Sequence, residues 1–349
     1  MHLLDMSLAD ITEVLQQHGQ PKYRAAQVYG WLSKGYRPSE MTNIPASLRD
    51  ILDGYGFGGA AIERKLVSSK DGTCKYLFCL EDGNLVEGVL MRYKYGNTVC
   101  ISTQVGCRMG CAFCASTLEG CVRNLNPGEM LGEVLTVERD GTPENGLKRN
   151  VTNIVLMGSG EPMDNLDNVL SFLRLVTSPD GINISPRNIS VSTCGLVPNI
   201  YRFMKEAPHV TLSISLHAHS DEIRSKIMPV NQRYPVAEVV KAARDYAELT
   251  GRRVVFEYAL IHGLNASKED AKALSRLLAG MNCHVNLIPL NPVPERNLQG
   301  ATRQEALQFN AWLTEFHTSA TIRREMGQDI NGACGQLRRR VINDLRGQE

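Results

Sequence analysis

Six short apolar runs, at residues 98–102, 153–157, 188–192, 211–215, 254–260 and 285–289, recur along this chain with a helical stretch between each one and the next. The intervening segments at 127–138, 166–176, 198–206, 236–249 and 268–278 repeat apolar residues at helical spacing. Strands joined by crossover helices make a parallel sheet, and right-handed crossovers curl that sheet toward a barrel. The expected fold is therefore α/β, a partial (β/α)6 TIM-like barrel. No internal repeat or low-complexity tract interrupts it. The polar stretch 140–150, rich in turn-forming residues, reads as its most flexible insertion.

A small N-terminal α+β accessory domain is expected ahead of the barrel, over residues 1–80, with the core at 81–349. Residues 7–18 read as a helix with a Ser7 cap and a Gly19 stop, and 24–33 as a second one carrying Ala25, Val28, Trp31 and Leu32 inward. Lys22, Arg24, Lys34 and Arg37 gather around the second helix. On sequence alone they suit a solvated face more simply than a contact to a nucleic-acid backbone. Residues 73–79 and 85–91 alternate as a hairpin about Glu81-Asp82-Gly83-Asn84, so the boundary falls inside it. Glu87 sits on the second arm, where a carboxylate needs a task or a partner. Taken singly, it reads as a solvent-facing strand residue.

Ligands in such sheets sit at the C-terminal ends of the strands. Here those ends carry Gly158-Ser159-Gly160-Glu161-Pro162, Ser192-Thr193-Cys194-Gly195, Ser215-Leu216-His217 and Asn291-Pro292. Small, backbone-exposing and hydrogen-bonding residues on one rim suit an amino acid, a ribose and an adenine. His217 reads as a hydrogen-bonded rim residue rather than a metal ligand. The first strand leads into Cys107, Cys111 and Cys114, a C-x3-C-x2-C run. A closed zinc site wants four ligands, and nothing nearby completes this one. An iron–sulfur cubane fits three thiolates better, leaving one iron open to a cofactor.

The other cysteines bear on compartment. Ten cysteines in a chain without a signal-peptide pattern argue for ligation, catalysis or burial in a reducing cytoplasm rather than a disulfide framework. No apolar run approaches the roughly 18 residues of a membrane span. With a formal net charge of +1, any nucleic-acid contact must rest on local patches, since no global positive field exists. Cys334, in Gly332-Ala333-Cys334-Gly335-Gln336-Leu337, lies between small residues and has room to be approached. In isolation an inert packed thiol accounts for it as well. Arg338, Arg339 and Arg340 follow it.

These motifs together resemble a known family. The chain resembles the RlmN-like dual-specificity RNA adenine C-2 methyltransferases of the radical S-adenosylmethionine superfamily. The likeness rests on Cys100-Ile101-Ser102-Thr103-Gln104-Val105-Gly106-Cys107, Arg123-Asn124-Leu125, Met228-Pro229-Val230-Asn231, Asn286-Leu287-Ile288-Pro289-Leu290-Asn291-Pro292 and the Cys334 segment. It implies a barrel of the radical S-adenosylmethionine type. It implies a 4Fe-4S cluster on Cys107, Cys111 and Cys114, and cofactor contacts at Gly160, Glu161, Ser192, Ser215, Leu216, His217 and Asn291. Two molecules of S-adenosylmethionine would serve each turnover. One methylates Cys334; the other is cleaved to a 5'-deoxyadenosyl radical that takes hydrogen from that methyl group. Glu87 would then be the base and Cys100 the cysteine that resolves the adduct through a disulfide with Cys334. The implied substrates are an adenosine of 23S ribosomal RNA at the peptidyl-transferase centre and an anticodon-loop adenosine of tRNA. An electron donor such as flavodoxin, a monomeric state and no membrane partner complete the expectation. Ser159 departs from the family's usual methionine, and Cys121 stands where a bulky apolar residue is common. Cys74, Cys79, Cys194 and Cys283 lie outside the chemical motifs and are expected in the core.

Overall fold

The computed structural model describes residues 1–141, 148–290 and 296–330, and the statements below concern these. The chain opens with three helices, α1 (Leu8–Gln17), α2 (Tyr23–Leu32) and α3 (Ala46–Asp53). Ser7 and Asp10 cap α1 reciprocally, each side chain accepting from the other's backbone N–H. Four strands follow, β1 (Ala60–Val67), β2 (Cys74–Leu80), β3 (Leu85–Tyr93) and β4 (Gly96–Ile101), each antiparallel to the next. A two-stranded hairpin, β5 (Gln104–Gly106) and β6 (Cys121–Asn124), comes next.

The alternation then sets in: α4 (Pro127–Asp140), β7 (Asn153–Leu156), α5 (Leu166–Thr177), β8 (Ile189–Thr193), α6 (Val197–Glu206), β9 (Thr211–Ser215), α7 (Asp221–Ile227), α8 (Val236–Thr250), β10 (Val254–Leu260), α9 (Lys268–Leu278), β11 (Cys283–Pro289), α10 (Arg303–Glu315) and β12 (Ala320–Ile322). From β4 through β7 to β12 every neighbouring pair is parallel. The sheet order β1-β2-β3-β4-β7-β8-β9-β10-β11-β12 follows the chain. Every crossover therefore moves the same way, and the sheet curls instead of doubling back.

The six expected strands are all present, and the final strand-like run of the sequence, residues 321–325, contributes β12 as a seventh parallel one. Two details differ. The short helices α3 and α7 were not legible as periodic runs. The first strand does not lead straight into the cysteine loop either: β4 stops at Ile101, and Ser102 N–H turns aside to Glu133 Oε2 at 3.2 Å. The hairpin β5–β6 then carries the loop, closed by Cys107 N–H donating to Gly120 O at 2.8 Å. Gly106 permits the closure, with φ +80° and no room for a side chain against Gly120 O.

The start of β1 and the segment ahead of α1 pack on α4 through close backbone approach. A Cβ on Gly132 would lie 2.7 Å from Ala60 N, and Gly128 N–H donates to Asp5 Oδ1 at 2.8 Å. Leu4, Ile11, Val28 and Leu48 join Val134, Phe172, Ile214 and Tyr258 in one continuous apolar core.

Beyond β12 the chain forms a strap. Met326 packs on Val89, Met91 and Cys100; Gly327 N–H donates to Asp71 Oδ2 at 2.9 Å. Asp329 accepts from Ser68 Oγ at 2.6 Å and from Ser69 N–H at 2.9 Å. The strap thus ties the β12 edge of the sheet to the β1–β2 turn at the other edge.

Candidate active site

Strand pleating sets the first group. Val89 pairs with Cys100 across β3 and β4, and Lys75 with Val89 across β2 and β3, so Lys75, Glu87, Val89 and Cys100 share one face. Glu87 is 2 % exposed, not solvent-facing as its strand position suggested. Its partner is Lys75, 0 % exposed, with Nζ 3.2 Å from Oε2. Cys100 is buried in a small cluster with Val89 and Met91, against Val155 and Met157. Burial pushes its thiol up to about 11, with the Arg323 guanidinium pulling the other way.

The cysteine loop forms the second group. Ala112 N–H donates to Ile227 O at 2.8 Å, pinning the loop to the end of α7, and Thr117 Oγ1 donates to Cys114 O at 2.9 Å. Cys107 and Cys111 are buried and Cys114 is half-buried. Burial pushes the Cys107 thiol up to about 12 and raises that of Cys111 too; the neighbouring thiols act on both in the same direction. Thiols that crowd one another in an apolar setting are poor free groups and good ligands, because a bound metal replaces their protons. Cys111 shares its apolar pocket with Cys194, Ile227, Met228 and Ile261, the kind of water-poor surrounding an iron–sulfur cluster uses. The donor set fits such a cluster.

The rim of strand ends is the third group. The Gly158–Glu161 turn locks onto the loop's base: Gly158 N–H donates to Ile101 O at 3.0 Å, Thr103 N–H to Ser159 O at 2.8 Å and Glu161 N–H to Gln104 Oε1 at 2.9 Å. Gly160 stands at φ +109°, and a Cβ there would lie 2.6 Å from Gln104 N. The Glu161 carboxylate is taken up by Met163 N–H at 3.0 Å and Cys194 N–H at 2.8 Å. It therefore braces β8 against the turn. Burial raises its pKa.

Ser192 and Ser215 stand side by side with hydroxyls 3.4 Å apart. Leu216 N–H and His217 N–H both donate to Glu257 O. His217 has φ +57°, a left-handed conformation rare for a residue with a Cβ and a mark of functional constraint. Its Nδ1 accepts from Ala259 N–H at 2.9 Å, and its ring meets Phe113 of the cysteine loop edge-on at 4.8 Å. Burial, reinforced by the Arg224 cation, lowers its pKa to about 3. The ring is thus neutral, with Nδ1 as acceptor and Nε2–H as its donor. Asn291, Cys334 and Arg338 to Arg340 lie outside the described residues.

Sequence reading did not single out Lys75, Arg224 or Glu257, and it placed Cys194 in the general core. Lys75 and Glu257 become visible only through strand register. Glu257 is buried and accepts from Asn286 Nδ2 at 3.0 Å. Cys194 had a signal, its place at a strand end.

A singly wound parallel sheet with three cysteines behind its first parallel strand, facing a rim of small polar residues, defines a radical S-adenosylmethionine enzyme. The Radical SAM superfamily model matches residues 101–274, and the ribosomal RNA large subunit methyltransferase N-terminal domain matches residues 1–55. The chain belongs to the RlmN-like methyltransferases, which use a 4Fe-4S cluster and S-adenosylmethionine. A Clostridium perfringens protein named "probable dual-specificity RNA methyltransferase RlmN" is 49 % identical over 98 % of this chain and 97 % of its own length. A Pelotomaculum thermopropionicum protein of the same name is 50 % identical over 98 % and 92 %. The crystal structure of a radical SAM methyltransferase from Sphaerobacter thermophilus is 42 % identical with a TM-score of 0.91, covering 96 % of this chain and 98 % of that one.

Proposed function

We propose that this protein methylates the C-2 position of an adenosine in the peptidyl-transferase centre of 23S ribosomal RNA, and an anticodon-loop adenosine of tRNA, through a methyl group carried on Cys334. The observation that carries the reading is the shared inner face of Glu87 and Cys100, in a chain whose relatives are named as dual-specificity RNA methyltransferases. C-2 of adenine is electron-poor, so direct attack on a sulfonium methyl fails. When bound on Cys107, Cys111 and Cys114, the cluster supplies the electron that cleaves S-adenosylmethionine.

The chain's own residues do the rest. Gly160 offers backbone that no side chain shields, and Ser192, Ser215 and the Nε2–H of His217 offer hydrogen bonds to the cofactor. Cys334 supplies the sulfur nucleophile that receives the methyl group. Glu87, kept in place by Lys75, accepts the ring proton. The Cys100 thiolate attacks the Cys334 sulfur; an S–S bond forms, the sulfur–carbon bond breaks, and the carbon keeps the electron pair and takes a proton. A thiol reductant then restores both cysteines. An unstacked adenosine in a folded single-stranded element fits a site of this depth. The N-terminal basic helix and Arg338 to Arg340 would follow the RNA backbone. Among the described residues no helix is long and apolar enough to cross a membrane.

Nucleoside digestion and mass spectrometry of both RNAs after reaction test the reading. The expected product is 2-methyladenosine in each; 8-methyladenosine would transfer the chain to the sister activity that modifies C-8 of the same ribosomal adenosine. Cys334→Ala is expected to abolish transfer, and Cys100→Ala to leave protein–RNA adducts that accumulate. A Cys100→Ala enzyme that turns over normally would remove the resolving role.

A further inference from the structure

Arg224, on α7, is 0 % exposed, and a cation buried that deeply is expensive to keep unless something there uses its charge. Its donors go to neutral acceptors. Nε donates to Leu216 O at 3.1 Å, Nη1 to Asn231 Oδ1 at 3.1 Å and Tyr234 O at 3.3 Å, and Nη2 to Cys194 O at 2.5 Å and Ser215 O at 3.3 Å. These bonds tie down the ends of β8 and β9, and none of them reaches a carboxylate. Asp221 is linked only through Asn231, whose Nδ2 donates to Asp221 Oδ1 at 3.0 Å. The charge is therefore solvated by fixed dipoles and remains available to its surroundings.

Those surroundings are the cysteine loop. The helix that carries Arg224 ends at Ile227, whose carbonyl accepts from Ala112 N–H between Cys111 and Cys114. Cys111 and Cys194 share one apolar pocket with Ile227 and Met228. Arg224 Nη2 donates to the carbonyl of Cys194, the residue that packs with Cys111, so the guanidinium adjoins the cysteine loop's apolar pocket.

We propose that Arg224 is the fixed counter-charge of the cluster held by Cys107, Cys111 and Cys114, and that it raises the cluster's reduction potential. The proposal rests on the reading of that loop as the cluster site. Reduction by a one-electron donor adds one negative charge to a site already bearing three thiolates. In an apolar pocket that step is easier beside a buried cation than beside a neutral group. Because carbonyls hold the guanidinium, the charge stays put in both oxidation states. Arg224 is thus a positioning and electrostatic residue, without contact to the substrate.

The test uses the full chain reconstituted with iron and sulfide under anaerobic conditions, as wild type, Arg224→Gln, Arg224→Lys and Asp221→Asn. Iron content and an electron-paramagnetic-resonance titration against electrode potential are measured. At the wild-type midpoint, Arg224→Gln is expected to lower the ratio of reduced to oxidised cluster about tenfold, about 59 mV for a one-electron couple. Arg224→Lys keeps the charge and is expected to stay within about twofold of wild type. Asp221→Asn removes an exposed anion from the guanidinium's neighbourhood and is expected to shift the ratio upward by about twofold. Equal shifts in Gln and Lys, or none in any variant, would overturn the proposal. If Arg224→Gln retains no iron, Asp221→Asn decides: an upward shift supports the counter-charge and an unchanged potential rejects it. A wild type that never forms a cluster overturns the reading of the loop, and this proposal with it.

Discussion

Lys75 and Glu87 meet on the inner face of β2 and β3 with Nζ 3.2 Å from Oε2, both removed from solvent. An exposed pair of this kind contributes at most about 1 kcal/mol, but breaking a buried pair costs more because water does not take over the lost interaction. Lys75→Met is therefore expected to destabilise the protein by about 3–5 kcal/mol, read from urea unfolding. Lys75→Met with Glu87→Leu should recover most of that loss while leaving no methyl transfer. A Lys75→Met variant within experimental error of wild type would show that the pair behaves as a surface one.

With the resolving role proposed for Cys100, product release should be sensitive to pH. Burial pushes its thiol up to about 11, so near neutral pH only a small fraction is thiolate. That fraction rises about tenfold per pH unit below this value, and the attack on Cys334 should accelerate accordingly between pH 7 and 9. Arg323 opposes the shift, so Arg323→Met should slow the step. Single-turnover decay of the protein–RNA adduct measures both.

His217 couples the rim of strand ends to stability. Its folded pKa of about 3 lies below the ordinary 6.5, so the unfolded chain binds the extra proton between those values. The contribution is fully present above pH 6.5 and is lost as pH falls toward 3. The loss should reach about 2 kcal/mol at pH 5 relative to pH 8. Unfolding midpoints of wild type and His217→Asn across this range check it, and the variant should lack that share of the slope.

Gly160 tolerates no side chain. With φ +109° and a Cβ that would sit 2.6 Å from Gln104 N, Gly160→Ala should cost roughly 2–5 kcal/mol through backbone strain and overpacking. It should also weaken S-adenosylmethionine binding, measured by calorimetry. Gly83→Ala is the control: φ +80° is strained there too, but nothing lies within 4 Å, so it should cost less and leave binding unchanged.

Much of this was legible in local sequence. Five- to seven-residue apolar runs separated by helical periods gave the six barrel strands, and the cysteine spacing marked the loop, because both signals lie within a few consecutive residues. What escaped was non-local. Nothing around Lys75 distinguishes it from a surface strand lysine until the β2–β3 register sets it near Glu87. Arg224 looks like an ordinary helix arginine until β8 and β9 bring their carbonyls to it. The hairpin β5–β6 was hidden because Gln104-Val105-Gly106 continues the apolar pattern of β4, and only the bond from Ser102 N–H to Glu133 breaks the strand.

The strap from β12 to the β1–β2 turn joins residues 260 and 261 positions apart. During synthesis at roughly 5–20 residues per second, Ser68 and Ser69 must wait on the order of 10–50 s for Asp329. Until then the nascent sheet has two free edges and an inner face open to water, with Cys100 on it. Whatever shields that face on the ribosome, the strap can form only after Asp329 has been made, so the two edges of the sheet are tied together long after the strands between them exist.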